Sequence, residues 1–317
     1  MKFWKELAAQ LQNNHNVYLL TVIENHGSSP GRKGFKMLVS DTGYIYGSIG
    51  GGVMEFELVE EVKKLLKARN PSIFCRKLIH RGRGTHGSGM ICSGEQTVVA
   101  HPLNQTHLNW VLSILDCLKD NSTKTIIFSP DAIGFSEDEI AEQYLSKIKN
   151  ESQWVFQELI GFQNTLYIIG GGHVGLAVTE LFQQLNFHVQ VFDNREHLNT
   201  LEQNVHAQNK EIIQYKDVSN YIKEGNDSYV VIMTNKYTDD KLVLSKLLRK
   251  QYKFIGVLGS VAKLKTMWEV LQNEGFTLDE LAKVHAPIGL PIKSQTPEEI
   301  AVSIAAEIIQ VKNKLKP

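Results

Sequence analysis

The sequence predicts an α/β chain in which a small N-terminal α/β domain precedes a doubly wound parallel-sheet domain. An apolar run at residues 166–169 predicts a buried strand. Three glycines with GxGxxG spacing follow that run: Gly170, Gly172 and Gly175. An apolar-periodic segment at 174–185 predicts a helix, and residues 188–192 predict a second strand that ends at Asp193. Strand, glycine turn, helix, second strand and acidic residue in this order predict a Rossmann-like unit.

The glycine turn of this unit predicts a site for a phosphate-bearing ligand. The first glycine permits the tight bend, the second lets the backbone approach a pyrophosphate, and the third lets helix and strand pack closely. Phosphates are favoured there by the free N–H groups and the dipole of the helix N-terminus. We expect Asp193 to accept hydrogen bonds from ribose hydroxyls, which favours a nucleotide without a 2′-phosphate. The alternative is the same fold with a vestigial site.

Length and composition narrow the class of protein. The 317 residues are enough for two domains, and the formal net charge of zero argues against nucleic acid and anionic membranes as partners. No apolar run approaches the ~20 residues that span a bilayer, and the N-terminal residues lack the apolar segment of a signal peptide. Three cysteines are too few for a disulfide framework. We therefore expect a cytoplasmic protein.

The first half of the chain alternates predicted strands and helices. Residues 3–13 predict an amphipathic helix, residues 17–24 a strand, and residues 35–46 a hairpin around a glycine turn. The polar and acidic segment 136–149 predicts a solvated helix and connector. A domain boundary near residue 155 then divides the chain into domains at 1–155 and 156–317.

A second glycine-rich turn precedes the helix predicted at residues 53–68. It contains three consecutive glycines: Gly50, Gly51 and Gly52. Consecutive backbone N–H groups before a helix can form an anion-binding nest. Close packing between a strand and a helix requires the same residue type. Glycine spacing alone leaves both interpretations open.

Cys92 lies in a glycine-rich segment, residues 80–94, that also carries Arg81, Arg83 and His86. Nearby cations lower a thiol pKa and would make Cys92 a nucleophile or metal ligand. Considered by itself, a lone cysteine is better explained as a small buried hydrophobe. Cys75 and Cys117 lie in apolar strand and helix patterns and are predicted core residues.

Ligand-binding loops are also predicted after the later strands of the second domain. Thr234 follows a buried strand at 229–233, and Gly259 and Ser260 follow a strand at 254–258. Loops at the carboxyl ends of parallel strands are where doubly wound folds bind ligands. The final helix is predicted from a capping box of Thr296 and Glu299, and it carries an apolar stripe: Ile300, Ile304, Ile308 and Val311.

Taken together, these residues resemble the XdhC/CoxI family of xanthine dehydrogenase accessory factors. The matching pieces in the first half are Gly27-Ser-Ser-Pro30, Lys36-Met-Leu-Val39, Gly47-Ser-Ile-Gly-Gly-Gly52 and Met90-Ile-Cys-Ser-Gly94. Those in the second half are Ile169-Gly-Gly-Gly-His-Val-Gly175, Phe192-Asp-Asn-Arg195, Gly259-Ser-Val-Ala-Lys263 and the run from His285 through Ile309. The resemblance covers nearly the whole chain.

The resemblance implies a chaperone that binds the molybdenum cofactor, molybdopterin, and delivers it to a molybdenum hydroxylase of the xanthine dehydrogenase type. It also implies a cysteine desulfurase as partner and a homodimer. It assigns Cys92 to cofactor and metal contact, and it places His173 in the glycine turn. The patterns and the resemblance together predict these cofactor-binding residues: Cys92, Gly50, Gly51, Gly52, Gly170, Gly172, His173, Gly175, Asp193, Thr234, Gly259 and Ser260. No catalytic residue is predicted, because the resemblance implies a maturation factor.

The sequence departs from the family pattern at two places. The family's Cys-Gly-Gly reads Cys92-Ser93-Gly94, and the two histidines of its Thr-His-x-His-x-x-Asp are replaced by Asn235 and Tyr237. We therefore do not expect this chain to have the metal or acid–base role that those histidines could carry in the family. Two rival functions share the same glycine turn: an NAD-linked oxidoreductase, and a scaffold that joins a hydroxylase to its sulfur donor.

Overall fold

The structure is a computed structural model that describes residues 1–80, 94–120, 122–138, 140, 142–162 and 164–314. It divides into two compact units, Met1–Gly161 and Phe162–Pro317. The boundary predicted near residue 155 falls inside a strand, Gln153–Ile160. No helix in the described ranges combines the length and apolar character that crossing a membrane requires.

The described chain contains helices and strands in both units. The α-helices are α1 Lys2–Gln12, α2 Gly52–Ala68, α3 Leu108–Lys119, α4 His173–Gln184, α5 Asn199–Glu202, α6 Tyr237–Leu247, α7 Val261–Asn273, α8 Leu278–Leu281 and α9 Pro297–Lys312. Two 3-10 helices span Gln105–His107 and Tyr215–Asn220. The strands of the first unit are β1 Val17–Gly27, β2 Lys36–Ser40, β3 Ile45–Gly47, β4 Phe74–His80, β5 Gly94–Leu103, β6 Lys124–Phe128, β7 Ile133–Phe135, β8 Tyr144–Asn150 and β9 Gln153–Ile160. Those of the second are β10 Thr165–Ile169, β11 His188–Asp193, β12 Asn209–Ile212, β13 Gly225–Ile232 and β14 Tyr252–Val257.

The N-terminal unit is built on two antiparallel sheets. One sheet has the order β3-β2-β1-β5-β4, and the other has the order β7-β6-β9-β8. Helix α2 packs on the first sheet through Leu58, Val59 and Val62, which share a core with Tyr18. A buried ion pair joins β2 to β9, with Nζ of Lys36 2.5 Å from Oε2 of Glu158.

The solvated helix predicted at residues 136–149 is wrong, because the structure has strand β8 at Tyr144–Asn150. The strand pairs with β9 along its length, and its burial alternates residue by residue. Tyr144 stacks on Phe156 of β9 on the half-buried side. Both faces of β8 carry polar residues, so the sequence does not show the two-residue hydrophobic period of a strand. The alternation in burial is produced by pairing with β9.

The C-terminal unit is a parallel sheet with the order β12-β11-β10-β13-β14. Alternate side chains of β10, β11, β13 and β14 enter two separate cores, one on each face. Helices α4 and α9 contribute Val178, Phe182 and Ile304 to one core, and α6 and α7 contribute Leu244 and Met267 to the other. The fold class predicted from the sequence is confirmed: a Rossmann-like, doubly wound domain follows the N-terminal α/β domain.

The last predicted helix is also confirmed. Thr296 caps α9 and Glu299 completes the capping box, with Pro297 at the first helical position. Before this helix, the segment at residues 285–288 lies against β14. The N–H of His285 donates to the oxygen of Ile255, and the carbonyl oxygen of His285 accepts from Val257. The N–H of Ile288 donates to the carbonyl oxygen of Val257. The segment therefore covers the outer edge of β14.

Candidate phosphate-binding site at the glycine turn

Two of the three glycines with GxGxxG spacing are required by packing: Gly170 after β10 and Gly175 in the first turn of α4. A Cβ atom on Gly170, which has φ +120°, would lie 2.3 Å from the carbonyl oxygen of Met233. A Cβ atom on Gly175 would lie 2.2 Å from the carbonyl oxygen of Gly170. Both distances are far below van der Waals contact, so these positions need glycine whether or not a ligand binds.

Gly172 differs from the other two because its surroundings are open. It is the N-cap of α4 with φ −71°, and no atom lies within 4 Å of a Cβ built on it. Its backbone is therefore one that any residue can adopt. The N–H groups of the first turn of α4 have no intrahelical acceptors, and the helix dipole favours an anion at this end. The space above Gly172 is open.

The peptide group of Gly171, in the middle of the turn, is fixed from both sides. Its N–H donates to Oδ2 of Asp193 at 2.8 Å, and its carbonyl oxygen accepts from Oγ1 of Thr200 at 2.6 Å. All the residues involved are buried. Asp193 at the end of β11 therefore holds the shape of the glycine turn.

The carboxylate of Asp193 is also paired with Arg195. Oδ1 accepts from the backbone N–H of Arg195 at 3.0 Å and from its Nε at 2.8 Å, and Oδ2 accepts from Nη2 at 2.8 Å. Burial opposes ionisation, but the hydrogen bonds from Arg195 and Gly171 outweigh it and lower the pKa of Asp193. The hydrogen bond to Asp193 in turn raises the pKa of Arg195.

This pairing bears on the ribose contact predicted for Asp193. Both oxygens of the fully buried carboxylate are engaged inside the domain, while the side chain of Arg195 is 34% exposed. A ribose hydroxyl would have to compete with those hydrogen bonds. The ribose contact stays a prediction, but the carboxylate oxygens that would accept the ribose hydroxyl already accept hydrogen bonds from Gly171 and Arg195.

His173, the first residue of α4, is exposed, and no hydrogen bond of its side chain occurs among the described residues. The N-cap of the helix is Gly172, so His173 does not cap the turn. Its side chain is free to meet a ligand or solvent.

Thr234 follows β13 on the other side of the glycine turn and belongs to a polar cluster centred on the buried Asp240. Its N–H and its Oγ1 both donate to Oδ1 of Asp240, at 2.8 and 2.7 Å. Asp240 lies in α6 and is fully buried, and its Oδ2 accepts from Nζ of Lys263 at 2.6 Å. Thr234 also lies beside Gly170, since a Cβ on Gly170 would be 3.0 Å from the Thr234 nitrogen.

Gly259 and Ser260 lie at the carboxyl end of β14, as predicted. Ser260 is the exposed N-cap of α7, and its Oγ accepts from the N–H of Lys263 at 3.3 Å. The structure thus brings the turns after β10, β13 and β14 to one edge of the sheet. Lys263 links two of them through Asp240.

The glycine run of the N-terminal unit forms a nest that the chain itself fills. Oε2 of Glu55 accepts hydrogen bonds from Oγ of Ser48 at 2.8 Å and from the N–H groups of Ile49 at 2.8 Å and Gly51 at 2.9 Å. The N–H of Gly50 donates to Oγ of Ser48 at 3.1 Å. Any external anion at Gly50, Gly51 and Gly52 would have to displace Glu55.

Packing explains part of the same run. A Cβ on Gly50 would lie 2.6 Å from the nitrogen of Gly31, and a Cβ on Gly31 would lie 2.2 Å from the carbonyl oxygen of Ile49. Gln96 of β5 joins these two loops, accepting from the N–H of Gly31 at 2.8 Å and donating to the oxygen of Ile49 at 2.9 Å. The glycine run therefore serves both close packing and anion binding, and the bound anion is the carboxylate of Glu55.

Cys92, predicted to contact the cofactor, lies outside the described residues, as do Arg81, Arg83 and His86. Cys75 and Cys117 are free and buried, as predicted for core residues. Burial raises the pKa of the Cys75 thiol to about 12. Among the described residues, no group of three or more His, Cys, Asp and Glu is arranged to hold a metal ion.

The sequence interpretation missed several residues that the structure places around the turn: Arg195, Thr200, Asp240 and Lys263. Arg195 stands two residues after Asp193, a spacing that lets the two side chains pair at the end of a strand. Asp240 and Lys263 are 23 residues apart, and nothing in their local sequence indicates that they meet.

The fold and the site together define a class of protein: a two-domain α/β protein whose Rossmann-like domain has a glycine turn with open space at the N-terminus of α4. The chain belongs to the XdhC and CoxI family. Residues 166–308 match the family model described as the XdhC Rossmann domain, and residues 10–76 match the one described as the XdhC and CoxI family.

Individual relatives align with nearly the whole of this chain. The chain is 27% identical over 323 aligned residues to the uncharacterized protein YqeB of Escherichia coli strain K12, covering 99% of this chain and 47% of that protein. The chain thus spans about half the length of that relative. It is 22% identical over 332 residues to a protein of Bacillus subtilis strain 168 that is named a probable xanthine dehydrogenase subunit, covering 99% and 98%.

A crystal structure described as a xanthine dehydrogenase from Bacillus halodurans has the same fold. It superposes with a TM-score of 0.76 at 24% identity, covering 99% of this chain and 96% of that one.

Proposed function

We propose that this protein binds the molybdenum cofactor and delivers it to a molybdenum hydroxylase of the xanthine dehydrogenase type in the cytoplasm. The observation that carries the proposal is the open space above Gly172, between two glycines that packing requires. Molybdopterin has a phosphate group, and the first turn of α4 offers the donors and the positive helix end that a phosphate needs.

The proposal also draws on the family and its named relatives. The chain is an XdhC and CoxI family member, and the Bacillus subtilis relative is named a probable xanthine dehydrogenase subunit. The cysteine desulfurase and the homodimer implied by the resemblance are part of the same proposal.

The residues that would hold the phosphate of the cofactor are those of the glycine turn in the C-terminal unit. The contact of Cys92 with the soft metal–sulfur end of the cofactor rests on the family resemblance alone. When bound, the cofactor supplies the molybdenum centre that the client enzyme uses. Asp193 and Thr200 fix the position of the Gly171 peptide group. The N–H groups of the first turn of α4 would then donate to the phosphate. The NAD-linked oxidoreductase is less well supported, because Asp193 has no free oxygen for a ribose hydroxyl.

The test is to isolate the protein from cells that synthesise molybdopterin and to release its small molecules. We expect pterin fluorescence and molybdenum in stoichiometric amounts, and transfer of both to an apo-hydroxylase on mixing. A bound nicotinamide would support the oxidoreductase instead. Protein that carries neither, and that fails to bind added molybdopterin, would contradict the proposal and favour the scaffold.

A further inference from the structure

Lys263 lies at the carboxyl edge of the parallel sheet, in the first turn of α7. Its Nζ donates to Oδ2 of Asp240 at 2.6 Å. Asp240 is fully buried, and its other oxygen is taken by Thr234. The lysine is therefore held in one place by a carboxylate that cannot move to solvent without losing three hydrogen bonds.

This cluster reaches the glycine turn directly. Thr234 follows β13, which pairs with β10, and the Thr234 nitrogen would lie 3.0 Å from a Cβ on Gly170. Lys263 is thus linked to the turn through Asp240 and Thr234. The strand order of the sheet reverses between β10 and β13, where Thr234 lies beside the glycine turn. In open parallel sheets ligands bind at such a reversal.

Lys263 differs from Lys36, a lysine with a purely structural role. Lys36 is 9% exposed, and its Nζ donates both to Glu158 and to the carbonyl oxygen of Gly34. Lys263 is 28% exposed, and in the described part of the chain Asp240 is the one acceptor of its three N–H donors. Two donors of Lys263 are therefore available to a further acceptor.

The surface around Lys263 is open as well. Ser260 and Ala262 are exposed, and Val261 is 72% exposed although it is apolar. The charge of Asp240 is balanced by Lys263 itself. Asp239 adds a carboxylate nearby, with its Oδ2 3.4 Å from Nδ2 of Asn194. An anion at this edge would therefore depend on the directed donors of Lys263 and α4 more than on net positive charge.

We propose that Lys263 is a binding residue for the phosphate group of the ligand at the glycine turn, and that Asp240 is its positioning residue. This inference rests on the proposed function for the identity of the ligand. It extends that function by adding a charged contact on the α7 side to the backbone contacts of α4. A charge-assisted hydrogen bond of this kind is worth about tenfold or more in affinity.

The test uses three probes and measures binding by fluorescence or calorimetry. The first is the stable fluorescent oxidation product of molybdopterin with its phosphate, the second is the same pterin after phosphatase treatment, and the third is inorganic pyrophosphate. The variants are Lys263→Met, Lys263→Arg and the double variant Asp240→Asn/Lys263→Met, which leaves no unpaired buried carboxylate. Lys241→Met is the control, because Lys241 forms an ion pair with Glu274 and has similar exposure.

We expect Lys263→Met and the double variant to bind the phosphorylated pterin about tenfold or more weakly, with little change for the dephosphorylated pterin. Lys263→Arg should recover part of the loss, and Lys241→Met should bind like the wild type. The ratio of the two pterin affinities within one variant is independent of the fraction of folded protein. Thermal stability of each variant is measured alongside.

The outcomes separate the two proposals. If the wild type binds the phosphorylated pterin and Lys263→Met binds it equally well, the role of Lys263 is overturned and the proposed function stands. If the wild type binds pyrophosphate through Lys263 but neither pterin, the role of Lys263 stands and the proposed function is overturned. If the wild type binds none of the three probes, both are overturned.

Discussion

Arg195 holds the carboxylate of Asp193 at two points, with Nε 2.8 Å from Oδ1 and Nη2 2.8 Å from Oδ2. The acid is fully buried and also accepts the N–H of Gly171. The pair therefore connects the end of β11 to the glycine turn. Its contribution to stability should depend on pH because the pKa of Asp193 is lowered.

Asp193→Asn should lower the free energy of unfolding at neutral pH by about 2–3 kcal/mol. This is less than for a fully buried pair because Arg195 keeps contact with solvent. A carboxyl whose pKa falls on folding stabilises the protein above its unfolded pKa, and the effect is lost as pH falls below the ordinary value of 3.8. Urea unfolding at several pH values should show the difference from wild type narrowing below about pH 4. Asp217→Asn, at an exposed position, is the control. A constant difference would contradict the ionic pairing.

Gly172→Val should abolish binding of the phosphorylated pterin while changing the melting temperature by only a few degrees. The space above Gly172 accepts a side chain, and that side chain then occupies the phosphate position. Gly134→Val in β7 is a matched control, because its Cβ would also meet nothing within 4 Å. Unchanged affinity in folded Gly172→Val would show that the ligand does not approach this turn.

The three cysteines should separate into two groups. Cys92→Ala should strongly lower the retention of molybdenum cofactor with little loss of stability. Cys75→Ala and Cys117→Ala should keep the cofactor and lose about 1 kcal/mol or more of stability, because both side chains are buried. Melting temperature and bound molybdenum are measured for all three variants. If Cys92→Ala melts early and still holds cofactor, the functional assignment of Cys92 is wrong.

Glu55→Ala should turn the N-terminal glycine run into a weak site for inorganic phosphate. Removing the carboxylate leaves Ser48, Ile49 and Gly51 with donors aimed at the vacated position. We expect phosphate at millimolar concentration to raise the melting temperature of the variant more than that of the wild type. Glu57→Gln, in the same helix, should respond like the wild type. Equal responses in all three proteins would mean that the nest cannot hold an external anion.

His101 in β5 should make the N-terminal unit sensitive to mild acid. Burial lowers the pKa of His101 to about 4, against an ordinary value of 6.5. The folded protein therefore holds it neutral, and stability is lost as pH falls from 6.5 toward 4. This amounts to about 2 kcal/mol between pH 7 and pH 5. In urea unfolding, His101→Phe should lose less stability over that pH range than the wild type does. His197→Asn, at an exposed position, should lose as much stability as the wild type. Equal losses in His101→Phe and wild type would contradict a neutral His101.

The sequence predicted those parts of the fold that depend on local patterns. The apolar run of β10, the glycines after it and the capping box of α9 each carry their signal within a few residues. Strand β8 was missed because its half-buried face depends on pairing with β9. At the site, Gly170 and Gly175 follow from local geometry, while the pairing of Asp240 with Lys263 depends on how α6 and α7 pack.

The roles of Asp193 and Glu55 also depend on contacts that the local sequence does not show. Both are acidic residues at the ends of elements, Asp193 at the end of β11 and Glu55 in the first turn of α2. Their partners decide what they do. Arg195 and Gly171 engage Asp193, and the turn before α2 engages Glu55, so each carboxylate satisfies donors of its own chain.

The segment at residues 285–288 has a consequence for how this protein can meet its partners. Its hydrogen bonds to Ile255 and Val257 occupy backbone groups on the outer side of β14. A client enzyme or a second copy of the chain cannot extend the sheet there by adding a strand. Strand augmentation of the Rossmann-like sheet would have to use the opposite border, at β12, whose four residues are all exposed.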